Sequence, residues 1–277
     1  MKVFYHSADL DGHCSGAIIK TKYPDCELIG INYGDIFPWS NIKKNENVFM
    51  VDFALQPFSD MEKLNKIAKL SWIDHHKTAI EEAHKKGFIA SKLQVLQIGK
   101  AACELCWETF YPGVKNRTVE LLGRYDVWDL IPNTLELQNG LRMYDTLPNN
   151  DFLWKKLLGQ NNAFLDDVLK IGSTLLRKQK MDNIAYIKAC SFETEIDGLN
   201  VIALNRGLTN SKIFESEYNP KKHDAMLTFV WRKGQWTVSL YSDQKNIDVS
   251  KICKARGGGG HKGAAGFQCS ILPFLLK

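Results

Sequence analysis

Three clusters of acidic and histidine residues stand out along the 277 residues of the chain. They are His6-Ser7-Ala8-Asp9-Leu10-Asp11-Gly12, the isolated Asp52, and the triplet Asp74-His75-His76. Carboxylates gathered in one site repel one another unless cations neutralise them. Aspartate and imidazole donors together suit divalent metals of the manganese type, with magnesium, cobalt or zinc less favoured. Asp9 and Asp11, two apart on an irregular segment, can face different metals, and Asp52 could bridge both. Two such ions, typically about 3.5–4 Å apart, clamp the attacking and leaving oxygens of a phosphoryl displacement.

The elements that must position these residues follow from hydrophobic patterning. Strands are expected at 2–6, 27–31, 47–52 and 70–74, with helical patterns near 13–22, 57–68, 77–85, 100–110 and 115–124. Strand and helix in alternation predict an α/β unit with a parallel sheet covered on both faces. Each acidic cluster closes a strand. Ligands of open parallel sheets bind beyond the carboxyl ends of the strands, so three segments distant in sequence converge on one edge. Asp145-Thr146-Leu147-Pro148-Asn149-Asn150 is turn-rich and marks a boundary. Residues 151–189 read as mostly helical, and strands return at 192–196, 199–204, 225–231 and 235–241. The expected division is a catalytic domain at 1–148, a helical connector at 149–189 and a smaller α/β domain at 190–277.

With these residues in place, the chain resembles the DHH phosphoesterase superfamily. The resemblance rests on His6-x-x-Asp9-x-Asp11-Gly12, Asp52 and Asp74-His75-His76. It extends to Arg256-Gly257-Gly258-Gly259-Gly260-His261-Lys262-Gly263-Ala264-Ala265-Gly266-Phe267, which is similar to the glycine-rich signature of the associated DHHA1 domain. The superfamily includes single-strand exonucleases, oligoribonucleases, phosphatases of 3′-phosphoadenosine 5′-phosphate, cyclic-dinucleotide phosphodiesterases, manganese pyrophosphatases and exopolyphosphatases. The resemblance implies an N-terminal DHH domain, a C-terminal DHHA1 domain and an active site in the cleft between them. It implies two ions, Mn²⁺ with Mg²⁺ or Co²⁺ as substitutes: His6, Asp9 and Asp52 on one, and Asp11, Asp52, His75 and Asp126 on the other. Asp129, three residues beyond Asp126, is the rival for the last position. His76 would face the phosphate, Asp74 would orient a histidine, and water activated by the two metals would attack phosphorus. One departure is that two residues separate His6 from Asp9, where some branches have three.

The glycine run also has a direct reading. Consecutive glycines let backbone approach a ligand and can expose N–H groups as an anion-binding nest, so Gly258, Gly259, Gly260 and His261 are candidates for holding phosphate. Arg256 offers a planar fork for the same purpose. Cys103 and Cys106 form a C-x-x-C on an amphipathic pattern and read as packing thiols. Seven scattered cysteines suit a reducing compartment. His13 reads as a solvated or helix-start histidine. Ser15 and Gly16 read as small residues for close helix–sheet packing.

Hydrophobic residues make up 44% and charged residues 24% of the chain, which excludes disorder. A net charge of +5 is compatible with an anionic substrate but falls short of a strong nucleic-acid footprint. A cytoplasmic protein is expected, with neither a membrane span nor a leader, which could pair with itself as a homodimer. The leading expectation is a manganese-dependent phosphodiesterase that cuts short single-stranded oligonucleotides or dinucleotides to 5′-mononucleotides. A phosphomonoesterase of 3′-phosphoadenosine 5′-phosphate, or an exopolyphosphatase or pyrophosphatase-like hydrolase, is the alternative. A nucleotide-binding sensor without turnover is the non-enzymatic rival.

Overall fold

The structure, a computed structural model, describes residues 1–276. The chain divides into two compact units, Met1–Leu176 and Arg177–Lys277.

The first unit holds a five-stranded sheet of β1 (Lys2–His6), β2 (Glu27–Ile31), β3 (Asn47–Val51), β4 (Lys69–Asp74) and β5 (Leu93–Leu96), in the order β2-β1-β3-β4-β5. All its pairings are parallel. The side chains alternate between two cores, as period-two geometry requires. Val3, Tyr5, Phe49, Val51 and Ile73 enter one core, while Phe4, Val48, Met50, Leu70 and Trp72 enter the other. The first core also takes in α1 (Leu10–Lys22), α4 (Ala102–Phe110) and α5 (Arg117–Asp126). The second takes in α2 (Ser59–Ile67) and α3 (Lys77–Lys86). This is the α/β class expected from the alternating pattern.

β5 and α6 (Thr134–Leu141) are not marked by the sequence pattern. β5 has four residues, all half-buried at the sheet edge, too few to display a period. α6 is preceded by Asn133 in the left-handed region and mixes polar with apolar residues.

The segment expected as a separate connector, 149–189, is shared between the units. α7 (Asp151–Leu158) and the start of α8 (Asn162–Cys190) bury Leu153, Trp154, Leu157, Leu165 and Val168 in the first unit's core. The end of α8 buries Ile187 in the second unit. A helix with apolar residues along its whole length finds a core at each end.

The second unit is a six-stranded mixed sheet in the order β10-β11-β9-β8-β7-β6. Its strands are β6 (Ser191–Ile196), β7 (Leu199–Asn205), β8 (Ala225–Arg232), β9 (Gln235–Tyr241), β10 (Gly259–His261) and β11 (Ala264–Cys269). α9 (Val249–Lys254) covers one face through Val249 and Cys253. No helix among the described residues is long and apolar enough to cross a membrane.

One glycine decides how α1 can start against β1. A Cβ on Gly12 would lie 2.0 Å from the His6 carbonyl oxygen, a backbone atom that cannot swing away. Overpacking of this kind costs about 1–3 kcal/mol. Gly12→Ala is therefore expected to lower stability by about 2 kcal/mol in urea unfolding. An unchanged midpoint would show that the junction is not tight.

Candidate metal centre

The carboxyl ends of β1, β3 and β4 are adjacent, and the strand order reverses at β1. Such a switch point opens a crevice above the sheet. All three clusters seen in the sequence reach it, joined by the ends of β2 and α5.

His6 ends β1 and is 8% exposed. Its Nε2 donates to Asn32 Oδ1 at 3.3 Å. The same oxygen accepts the Tyr33 N–H at 2.8 Å, so the ring nitrogen carries the proton. Nδ1 then faces Asp9 Oδ2 at 2.8 Å and Asp52 Oδ2 at 3.5 Å. Metal-ligating imidazoles commonly give away their other N–H in this manner.

The two aspartates of the first cluster are each fixed by a helix start. Asp9 caps α1, accepting the Gly12 N–H on Oδ1 at 2.9 Å. Asp11 is buried, and its oxygens accept the N–H groups of Ala102 at 2.9 Å and Cys103 at 2.7 Å. These groups begin α4, whose own preceding residue, Ala101, offers no side-chain cap. A carboxylate is stabilised there by the helix dipole. The C-x-x-C helix therefore serves the site through its backbone, while Cys103 and Cys106 stay buried as free thiols.

Asp52 adopts φ 55, a left-handed conformation that Asp tolerates better than most residues. Its N–H still bonds the Ile73 carbonyl at 2.9 Å, so the turn comes directly at the end of the ladder. Both carboxylate oxygens of Asp52, and Nδ1 of His6, are buried with no hydrogen-bond partner among the described residues. Buried acceptors without partners are costly, and a cation satisfies them. His75 Nε2 lies 3.2 Å from Asp52 Oδ1, 3.2 Å from Asp126 Oδ2 and 3.6 Å from Asp11 Oδ2. Asp129 instead pairs with Arg124 at 2.9 Å and is exposed, so Asp126 is the one that joins the cluster.

Three donor sets could hold a cation: His6, Asp9 and Asp52; Asp11, His75 and Asp126; and Asp52, His75 and His76. Asp74 is fully buried and lies behind them. Its Oδ1 accepts the N–H groups of His75 at 2.7 Å and His76 at 3.1 Å, and the Nδ1–H of His76 at 2.7 Å. Its Oδ2 accepts from Trp72 Nε1 at 3.2 Å. The His76 ring is thereby held with Nε2 turned away from Asp74.

Electrostatics reflect this crowding. Burial, then repulsion by Asp11, raises the Asp126 carboxyl to about 7. Burial and the Asp52 charge also raise Asp11, and burial raises Asp52. For His6, burial opposes the charged form, but attraction to the neighbouring Asp52 and Asp9 carboxylates outweighs it and lifts it to about 10. His75 follows the same pattern, burial against Asp52, Asp11 and Asp126, and reaches about 9.

Asn32 and Tyr33 are the residues that the sequence reading missed. Asn32 and Tyr33 follow β2, and the strand-end rule applied to that strand would have found them. Tyr33 packs on Phe53 at 4.6 Å between ring centroids and edge-on to His6 at 5.7 Å. His13 lies in the first turn of α1, as read, but is half-buried: its ring bonds Thr146 Oγ1 at 3.0 Å and the Ser7 carbonyl at 3.2 Å, tying the first cluster to the turn at 145–150.

In the second unit, Gly259-Gly260-His261 is an edge strand paired with Gly266-Ala265-Ala264, rather than an open nest. A Cβ on Gly258 would lie 2.1 Å from the Gly266 carbonyl oxygen, which explains the need for glycine there. Arg256, expected to fork onto phosphate, forks onto Asp197 at 2.6 and 2.7 Å.

No protein-family model matches the chain. Among curated proteins it is similar to the uncharacterized protein R106 of Acanthamoeba polyphaga mimivirus, at 28% identity over 98% of this chain and 69% of that one. It is also similar to the oligoribonuclease NrnB of Bacillus subtilis, at 25% identity over 96% of this chain and 72% of that one. Among solved structures, a pGpG-specific phosphodiesterase, PggH, from Vibrio cholerae shares the fold. Its TM-score is 0.59, with 14% identity over 98% of this chain and 93% of that one. Similarity to an oligoribonuclease, and a fold shared with a phosphodiesterase, accord with the resemblance to the DHH phosphoesterases that the motifs carry.

The centre also has a defined proton balance. With His6 and His75 raised, both rings carry protons at neutral pH without a metal, and ligation must displace them. Deprotonation is easier at higher pH, so cation affinity must rise with pH. Calorimetric titration of Mn²⁺ into metal-free protein is expected to show affinity strengthening between pH about 7, the Asp126 value, and about 9, the His75 value. Proton release should accompany it. Flat affinity across that window would contradict the assigned donors.

Proposed function

We propose that this chain is a manganese-dependent phosphodiesterase of the DHH type that hydrolyses short single-stranded oligonucleotides or dinucleotides to 5′-mononucleotides. The observation that carries the reading is Asp52, whose two unpartnered oxygens lie between the donors His6 and Asp9 on one side and His75 on the other. On this reading His6, Asp9 and Asp52 hold one ion, and Asp11, Asp52, His75 and Asp126 hold the second. The bound ions would supply Lewis-acid neutralisation of the phosphate and activation of water.

The chain's own residues do the remainder. Asp74 fixes the His76 Nδ1–H, so His76 Nε2 is presented outward as a donor to a phosphate or leaving oxygen. The bond to Asp74 raises the His76 pKa against the opposing effect of burial, which keeps the donating form populated. Tyr33 is pushed up to about 12 by burial and by Asp74, Asp52 and Asp9, so its hydroxyl remains a donor while its ring, packed on Phe53, offers a surface to a base. The edge strand of Gly259, Gly260 and His261, with Gly258 before it, would hold a terminal phosphate through its backbone, while Arg256 is engaged with Asp197. Similarity to an oligoribonuclease along nearly the whole chain supports the choice of short nucleic acid over polyphosphate.

The test is incubation of the pure protein with Mn²⁺ and end-labelled dinucleotide or five-mer RNA, with 3′-phosphoadenosine 5′-phosphate and polyphosphate in parallel. Mononucleotide release from RNA is expected. Its failure with every divalent metal would overturn the reading, and faster phosphate release from one of the parallel substrates would redirect it. Asp52→Ala is expected to leave less than about 1% of turnover, because both ions lose a ligand. His76→Ala should lower kcat by about 10²–10⁴-fold, the range of general acid–base catalysis, while two ions still bind.

A further inference from the structure

The open face of the second sheet carries a groove that the metal chemistry does not use. Residues paired directly across a sheet share a face. The pairings Gly259–Gly266, Gly266–Ser239, Ser239–Thr228 and Thr228–Leu204 therefore run in one row from β10 to β7. A second row holds Thr237 and Val230. The opposite face is filled by Leu227, Phe229, Val238 and Leu240 beneath α9. On the groove face, apolar packing of Ile202, Leu204 and Met226 against Phe214 stops short, and hydroxyls follow.

The result is a cavity of about 510 Å³, inside the range of about 300–1,000 Å³ usual for small-molecule sites. Thr228, Thr237 and Ser239 form its floor, and Arg206 and Arg232 line it. Thr228 is 4% exposed, and the buried Thr237 hydroxyl has no hydrogen-bond partner among the described residues. One wall is the loop after β7, held close by Gly207, where a Cβ would lie 2.9 Å from Val230 Cγ1. That loop is strained: Leu208 has φ 53 and a fully exposed side chain. A non-glycine residue in that region, carrying an apolar side chain into solvent beside a polar cavity, is a feature of ligand clamps.

We propose that this groove is a nucleotide-binding subsite. Arg206 and Arg232 would meet the phosphate, the hydroxyls of Thr228, Thr237 and Ser239 would bond ribose or base edges, and Leu208 would close over the base. The side-chain-free strip of Gly259 and Gly266 lies in the same row and gives a flat ligand room toward the glycine-rich segment. The choice of nucleotide rests on the phosphoesterase reading above; the groove itself does not. Planar guanidinium forks recognise phosphate, and an anionic ligand with an apolar ring fits two cations beside hydroxyls and a leucine.

The experiment is calorimetric titration of 5′-AMP, with inorganic phosphate and adenosine as separate probes, into the whole protein stripped of metal with EDTA. Metal-free protein is used so that the candidate metal centre does not contribute binding. AMP is expected to bind more tightly than either fragment. Thr237→Val, which keeps the side-chain shape, and Arg232→Gln, at an exposed position, should each weaken AMP at least about tenfold, the loss of one charge-assisted or buried hydrogen bond. Arg232→Gln cannot fail through misfolding of a buried core, so it keeps the test decisive. No AMP binding by the wild type, or affinities within about twofold of wild type in both variants, would overturn the subsite. Failure of the phosphoesterase reading shows separately, as absence of RNA turnover by the wild type.

Discussion

Mutual repulsion among buried carboxylates is the constraint on which the first unit is organised. Asp9, Asp11, Asp52 and Asp126 approach the same two histidine nitrogens, and Asp52 lies within reach of both. Such a cluster is tolerable only with positive charge in it. Protons on His6 and His75 supply that charge in the metal-free chain, and bound divalent ions would take their place. Several features of the fold follow from holding these groups together.

The price is met by the surrounding backbone. Asp52 turns into the left-handed region at the end of β3, where its carboxylate can reach neighbours on both sides. Gly12 lets α1 begin in contact with the His6 carbonyl. Asp11 is anchored by the first N–H groups of α4, so the helix dipole offsets part of its burial. His6, His76 and Asp74 are each fixed by a hydrogen bond on the side away from the cluster. The donors are therefore held by helix starts, strand ends and side-chain bonds that do not depend on the cation.

Much of this was legible in the sequence because the strands of the first unit are short apolar runs that end abruptly in Asp or His. The run Phe49-Met50-Val51-Asp52 shows both the strand and its functional end. Asp126 was reached through resemblance alone, since it lies at the end of a helix whose approach to β4 is a matter of tertiary packing. Asn32 and Tyr33 escaped notice because their residue types are ordinary for a turn. The capping of α4 by Asp11 could not be read at all, since it joins positions 91 residues apart. In the second unit the glycine run suggested a loop, whereas its lack of side chains is what allows a tight edge strand. Arg256 was misjudged for a related reason: its partner Asp197 lies in a distant turn.

The central claim is that Asp52 joins two cation sites, and anomalous diffraction at the manganese edge from crystals grown with Mn²⁺ tests it most directly. The account predicts two peaks per chain, one among His6, Asp9 and Asp52 and one among Asp11, Asp52, His75 and Asp126. A single peak, or two peaks that do not share Asp52, would contradict it.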